Sequence, residues 1–134
     1  MAYLLGKRSR QHLVGVHPDL VRVVERAINI TSVDFAVLEG LRTIERQRRL
    51  LRSGASTTLR SRHLTGHAVD LGAWVDGTVD WSWSLYYKIA DAMKQAAEEL
   101  RIPIEWGGDW RTFKDGPHFQ LPWAQYPEDE KERA

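Results

Sequence analysis

The chain contains no cysteine. A disulfide framework and a thiolate metal site are therefore excluded, and any metal must be held by nitrogen and oxygen. Charge of one sign is also scarce: 19 Lys and Arg stand against 18 Asp and Glu, a formal net charge of +1. Global charge gives no pull towards nucleic acid or an anionic surface, and no nucleic-acid partner is expected. Long apolar runs are missing too. The N-terminus, Met1-Ala2-Tyr3-Leu4-Leu5-Gly6-Lys7-Arg8, is too short and polar for a signal-peptide core, and nothing later approaches a membrane span. Cytoplasmic accumulation without membrane insertion is the expectation. There are no repeats and no interdomain linker. What is present, 134 residues with 43% hydrophobic content and 6 Trp, fits one globular domain with a real core. That domain is expected over residues 1–126, as a monomer, with a charged, solvated tail over 127–134.

Hydrophobic spacing outlines the elements. Leu20, Val23, Val24, Ala27 and Ile28 recur at helical steps after His17-Pro18, with proline tolerated in the first turn and His17 placed to cap or pack. Val33 to Leu38 alternates and is rich in β-formers, so it reads as a strand. Thr43 is a cap for a helix carrying Arg46, Gln47, Leu50 and Leu51, and Gly54 ends it. A strand is expected from His67 to about Leu71, then a strand and turn to Asp80 with Asp76-Gly77 as the hairpin signal. On that strand Ala68 and Asp70 share one face, and His67, Val69 and Leu71 take the other. A long helix from about Ser84 to Leu100 buries Leu85, Ile89, Met93, Ala96, Ala97 and Leu100. Ile102–Trp106 and Pro117–Leu121 read as short strands. The class is α+β.

Chemistry concentrates in two segments, Ser61-Arg62-His63-Leu64-Thr65-Gly66-His67-Ala68-Val69-Asp70 and Asp115-Gly116-Pro117-His118. They offer two imidazoles and a carboxylate for a divalent metal, with His63, Asp70 and His118 as ligands. A catalytic zinc takes three protein ligands and leaves its fourth position to water, which it acidifies. One Zn2+ is the expected cofactor. Asp115, three residues before the last ligand, is the candidate proton shuttle. His67 points away and His12 and His17 fall outside the spacing. The six tryptophans are mostly core by default, with Trp106 and Trp110 as candidate cleft walls. Arg46, Arg48, Arg49 and Arg52 read as a solvated helix face.

Ser-x-His-x-x-Gly-x-Ala-x-Asp followed by Asp-x-x-His resembles the zinc peptidases that include D-Ala-D-Ala carboxypeptidases and phage L-alanyl-D-glutamate endopeptidases. Gly6-Lys7-Arg8-Ser9, Val16-His17-Pro18-Asp19-Leu20, Glu39-Gly40-Leu41-Arg42-Thr43 with Gln47, and Trp106-Gly107-Gly108-Asp109-Trp110 extend the likeness to about Gln120. The resemblance implies a small antiparallel sheet with helices packed on one side, as in the Hedgehog and D-Ala-D-Ala-peptidase fold, and zinc on the open face. It implies that Arg42 steadies the oxyanion and that Gln47 and Ser61 anchor substrate. The expected activity is a phage endolysin cutting the L-Ala–D-Glu bond of peptidoglycan stem peptides. It would reach the periplasmic wall by holin-type release. Without a wall-binding module, a Gram-negative host is expected. A D-Ala-D-Ala carboxypeptidase and a non-catalytic zinc-scaffold binding module are the alternatives.

Overall fold

The computed structural model describes residues 2–56 and 58–127, so the expected tail lies outside the described residues beyond Pro127. The elements are α1 (Lys7–His12), α2 (Pro18–Ile30), β1 (Phe35–Glu39), α3 (Ile44–Arg52), β2 (Ala68–Val75), β3 (Thr78–Asp80), α4 (Trp83–Leu100), β4 (Glu105–Trp106) and β5 (His118–Gln120). Short 3-10 helices cover Arg62–Thr65 and Gly107–Asp109. All strand pairs are antiparallel in the order β1-β2-β5-β4, with β3 on the far end of β2. This is the expected α+β architecture.

The core lies between the sheet and the pair α2 and α4. Leu20, Val23, Val24, Ala27 and Ile28 of α2 are fully buried against Ile89, Met93, Ala96 and Ala97 of α4 and Val69, Leu71 and Ala73 of β2. Each Leu, Ile or Val of this set contributes about 1.5–3 kcal/mol by leaving water. Leu100 departs from its expected place. As the last helical residue before left-handed Arg101, it is 39% exposed. The strand signals hold with trimmed ends. Val33 and Asp34 precede β1, and Ile102–Ile104 precede β4. β2 instead runs unbroken to Val75, because Asp76 (φ 51) and Gly77 (φ 79) form the two-residue left-handed turn that matches strand twist.

Caps behave as their chemistry dictates. His17 Nδ1 accepts from Asp19 N at 3.0 Å, and Thr43 Oγ1 accepts from Arg46 N at 3.2 Å. The unforeseen element is α1, six residues long, which covers the edge of β1. Ser9 Oγ accepts from Val37 N at 3.0 Å, and His12 Nδ1 donates to Val37 O at 2.7 Å. Two side chains thus satisfy a strand edge that could otherwise recruit another chain.

Candidate metal centre and active site

Sheet register assembles the site. Asp70 on β2 is paired with Glu39 of β1 on one side and with His118 of β5 on the other. A register shift between Val37 and Glu39 precedes the first pairing. Three polar side chains therefore line up across three strands. His63 comes from the 3-10 helix beside them. Ser61 caps that helix, with Oγ accepting from His63 N at 3.2 Å. Gly66 closes it in the left-handed region at φ 75, where a Cβ would lie 2.3 Å from Gly15 O. Only glycine meets both demands, which explains its place in the motif.

His63 Nε2, Asp70 Oδ1 and His118 Nδ1 converge. The two nitrogens lie 3.2 and 3.3 Å from the carboxylate oxygen, and the three atoms fall within 4.8 Å of one another. The far nitrogens decide what the near ones can do. His63 Nδ1 donates to Gly40 O at 2.8 Å. Gln120 Nε2 donates to Glu105 Oε2 at 3.3 Å, which turns Gln120 Oε1 towards His118 Nε2 at 2.8 Å. With both outer nitrogens donating, each inner nitrogen presents a lone pair beside a carboxylate oxygen. Such a donor set fits a cation, and the outer partners fix ring orientation as in histidine-ligated metal sites. With no cation present, the inner nitrogens can carry protons instead: burial pushes the Asp70 carboxyl up, but hydrogen bonds from His118 and His63 in that state outweigh it and hold the group well below the usual carboxylate range. Burial likewise pushes His118 down while Asp70 outweighs it and raises it. A proton and a metal ion compete for that lone pair, so metal affinity falls in acid.

Asp115 sits on a turn braced from below. Its N–H donates to Gly107 O at 3.0 Å, and its carbonyl accepts from His118 N at 3.2 Å. A Cβ on Gly107 would meet Asp115 O at 2.4 Å. Trp106 Nε1 donates to Gly116 O at 2.7 Å, and the Tyr86 ring lies against Gly116. Burial raises the Asp115 carboxyl, and the charge of Asp70 adds to that shift.

Arg42 is fixed on every nitrogen. Nε donates to Glu39 Oε1 at 3.0 Å, one terminal nitrogen to the same carboxylate, and the other to Gln47 Oε1 at 2.7 Å. It lies 3.8 Å from Asp70 Oδ2. Together Arg42, His63, Asp70, Asp115 and His118 line one pocket of about 500 Å3, with Ser61 and Trp110 on its walls.

Three expectations are corrected here. Gln47 leaves no surface for substrate: it is fully buried, and its amide also donates to Ser56 Oγ at 2.8 Å and Thr58 O at 2.6 Å. Its contact is with Arg42. Trp106 is not a cleft wall, since it is 3% exposed and stacked on Phe119. Nor are the tryptophans core by default: Trp74, Trp81 and Trp83 are 42–61% exposed. Sequence reasoning missed Glu39, which holds Arg42, and Gln120 with Glu105, which orient His118. Arg62, to which the sequence assigned no role, is 2% exposed, donates to Leu121 O at 3.0 Å and lies 4.2 Å from the Trp123 ring.

The family model described as phage L-alanyl-D-glutamate peptidase matches residues 1–121. The chain belongs to this peptidase family. It is 31% identical to the L-alanyl-D-glutamate peptidase of Escherichia phage T5 over 119 residues, covering 86% of this chain and 87% of that one. Among solved structures it resembles the Serratia marcescens L-Ala D-Glu endopeptidase ChiX, with 54% identity, a TM-score of 0.88, and 93% and 95% of the two chains covered. The vancomycin resistance D,D-dipeptidase VanXYg shares the fold at 20% identity and a TM-score of 0.50, over 88% of this chain and 54% of that one.

Proposed function

We propose that the chain is a zinc-dependent endopeptidase that hydrolyses the L-alanyl–D-glutamate bond of peptidoglycan stem peptides and brings about lysis of a phage's host. The observation that carries this reading is the convergence of the His63, Asp70 and His118 ligand atoms in a pocket shared with Asp115 and Arg42. Membership of the family and near full-length likeness to two L-alanyl-D-glutamate peptidases support the choice of bond.

His63, Asp70 and His118 would hold the zinc ion, which would supply a Lewis acid to polarise the scissile carbonyl and acidify water. Asp115 takes the proton of the attacking water at a carboxylate oxygen. As the carbon–nitrogen bond breaks, it returns that proton to the leaving D-glutamate amine. Its raised pKa suits both halves of the task. The Arg42 guanidinium faces the negative charge that develops on the carbonyl oxygen, and Glu39 and Gln47 hold it there before substrate arrives. Ser61 and Trp110 form the nearby walls against which the peptide lies.

Residues 1–126 form the catalytic unit, acting as a monomer without nucleic acid. No helix among the described residues is long and apolar enough to cross a membrane. The protein is made in the host cytoplasm and reaches the periplasmic wall after holin-type release. Blocked peptides carrying either L-Ala–D-Glu or D-Ala–D-Ala bonds test the reading directly. The zinc-loaded protein cuts the first, a chelator stops it and zinc restores it. Preference for D-Ala–D-Ala, or cleavage that persists without metal, overturns it.

A further inference from the structure

The arginines of α3 do not all form a solvated face. Arg46 turns back to the sheet, where its Nε donates to Glu39 Oε2 at 2.5 Å. Glu39 is therefore shared, one oxygen holding Arg42 and the other Arg46. The consequence differs for the two cations. Arg42 is engaged on all three nitrogens, whereas the terminal nitrogens of Arg46 make no hydrogen bond among the described residues. The Arg46 side chain is 48% exposed and lines the same pocket as Asp70, Asp115 and His118. Glu39 brings one charge to the two guanidiniums it holds, and Arg46 turns the outer end of its planar fork, a shape suited to a carboxylate, towards the pocket.

We infer that Arg46 is a specificity-determining residue that binds the free carboxylate of the D-glutamyl residue released by cleavage. The inference rests on the endopeptidase reading above. A D-glutamyl residue has two carboxyl groups, and the stem peptide continues through only one of them. The other stays ionised at neutral pH unless it is amidated, a few bonds from the amine that leaves. An anion placed there would meet the outer end of Arg46, in the same pocket as Arg42.

The test compares kcat/KM on two C-terminally blocked peptides that differ only in whether this group is a carboxylate or a carboxamide. The wild type is expected to favour the carboxylate roughly 10-fold, as for one charge-assisted pair at a half-exposed site. Arg46→Gln is expected to bring the ratio close to one, by losing activity on the carboxylate peptide while staying within about 3-fold on the carboxamide. Arg46→Lys should keep part of the preference. An equal loss on both peptides would show that Arg46 acts only through Glu39 and Arg42, and overturns the assignment. Equal cleavage of both peptides by the wild type does the same. If the wild type cuts neither peptide, the endopeptidase reading itself fails and this assignment fails with it.

Discussion

Replacing Gln47 with methionine tests how the pocket holds its cation. The side chains are similar in length, and Gln47 is fully buried, so the substitution keeps volume while removing three polar contacts. Ser56 Oγ and Thr58 O lie in an exposed loop and regain water. The Arg42 nitrogen does not, because that side chain is only 9% exposed. A buried charged donor left without its acceptor costs about 1.5–3 kcal/mol. For a domain of this size that corresponds to a fall in Tm of roughly 5–10 °C. Activity should fall as well. With one of its three anchors gone, Arg42 loses its aim, and a group worth about 100- to 1000-fold when removed entirely should lose about 10-fold of that. The expected result is a 10-fold lower kcat with little change in KM, alongside unchanged zinc affinity. A variant with wild-type kcat and Tm would falsify the view that Gln47 positions Arg42.

Three further outcomes follow from other parts of the site. Trp106→Phe keeps the stacking on Phe119 but removes the N–H that donates to Gly116 O. It should lower stability by about 1 kcal/mol and slow turnover by loosening the Asp115 turn, whereas undiminished turnover would detach Trp106 from the site. His67 gives a pH signature. Burial lowers its pKa from 6.5 to about 4, with Arg62 and His17 adding to the effect. Folding thus favours the neutral ring, and its full benefit is present above pH 6.5 and is lost as pH falls towards 4. With partial exposure discounted, about 1–2 kcal/mol is at stake. Denaturant titrations of His67→Gln should be flatter than wild type across that window, and identical curves would refute the reading. Finally, zinc should raise the Tm of the metal-free protein, by about 4 kcal/mol of stability at 1000 times Kd. His63→Ala should abolish that rise, and an undiminished rise would remove His63 from the ligand set.

Legibility in the sequence tracked how local each signal was. The three residues that converge as ligand atoms were visible because Gly66 and the Asp115-Gly116-Pro117 turn mark the backbone geometry that delivers them. Helices α2 and α4 were readable from periodicity, and the β2–β3 turn from Asp76-Gly77. What escaped depends on register or on charge burial. Nothing in the sequence says that Glu39 stands opposite Asp70, because that pairing follows a shift in the β1 ladder. Gln47 and Arg62 are polar, so their prior is exposure, yet each is buried by partners far along the chain or across a loop. Helix α1 is too short to show a period, and its role depends on two side-chain hydrogen bonds to an edge strand.

The most direct test of the central claim is mass spectrometry of the fragments released from purified peptidoglycan by the zinc-loaded protein, with Asp115→Ala beside it. The account predicts muramyl peptides ending in L-alanine together with fragments bearing a new D-glutamate amine, and neither from the variant. Release of terminal D-alanine alone, or no fragments from a folded, zinc-bound protein, would contradict it.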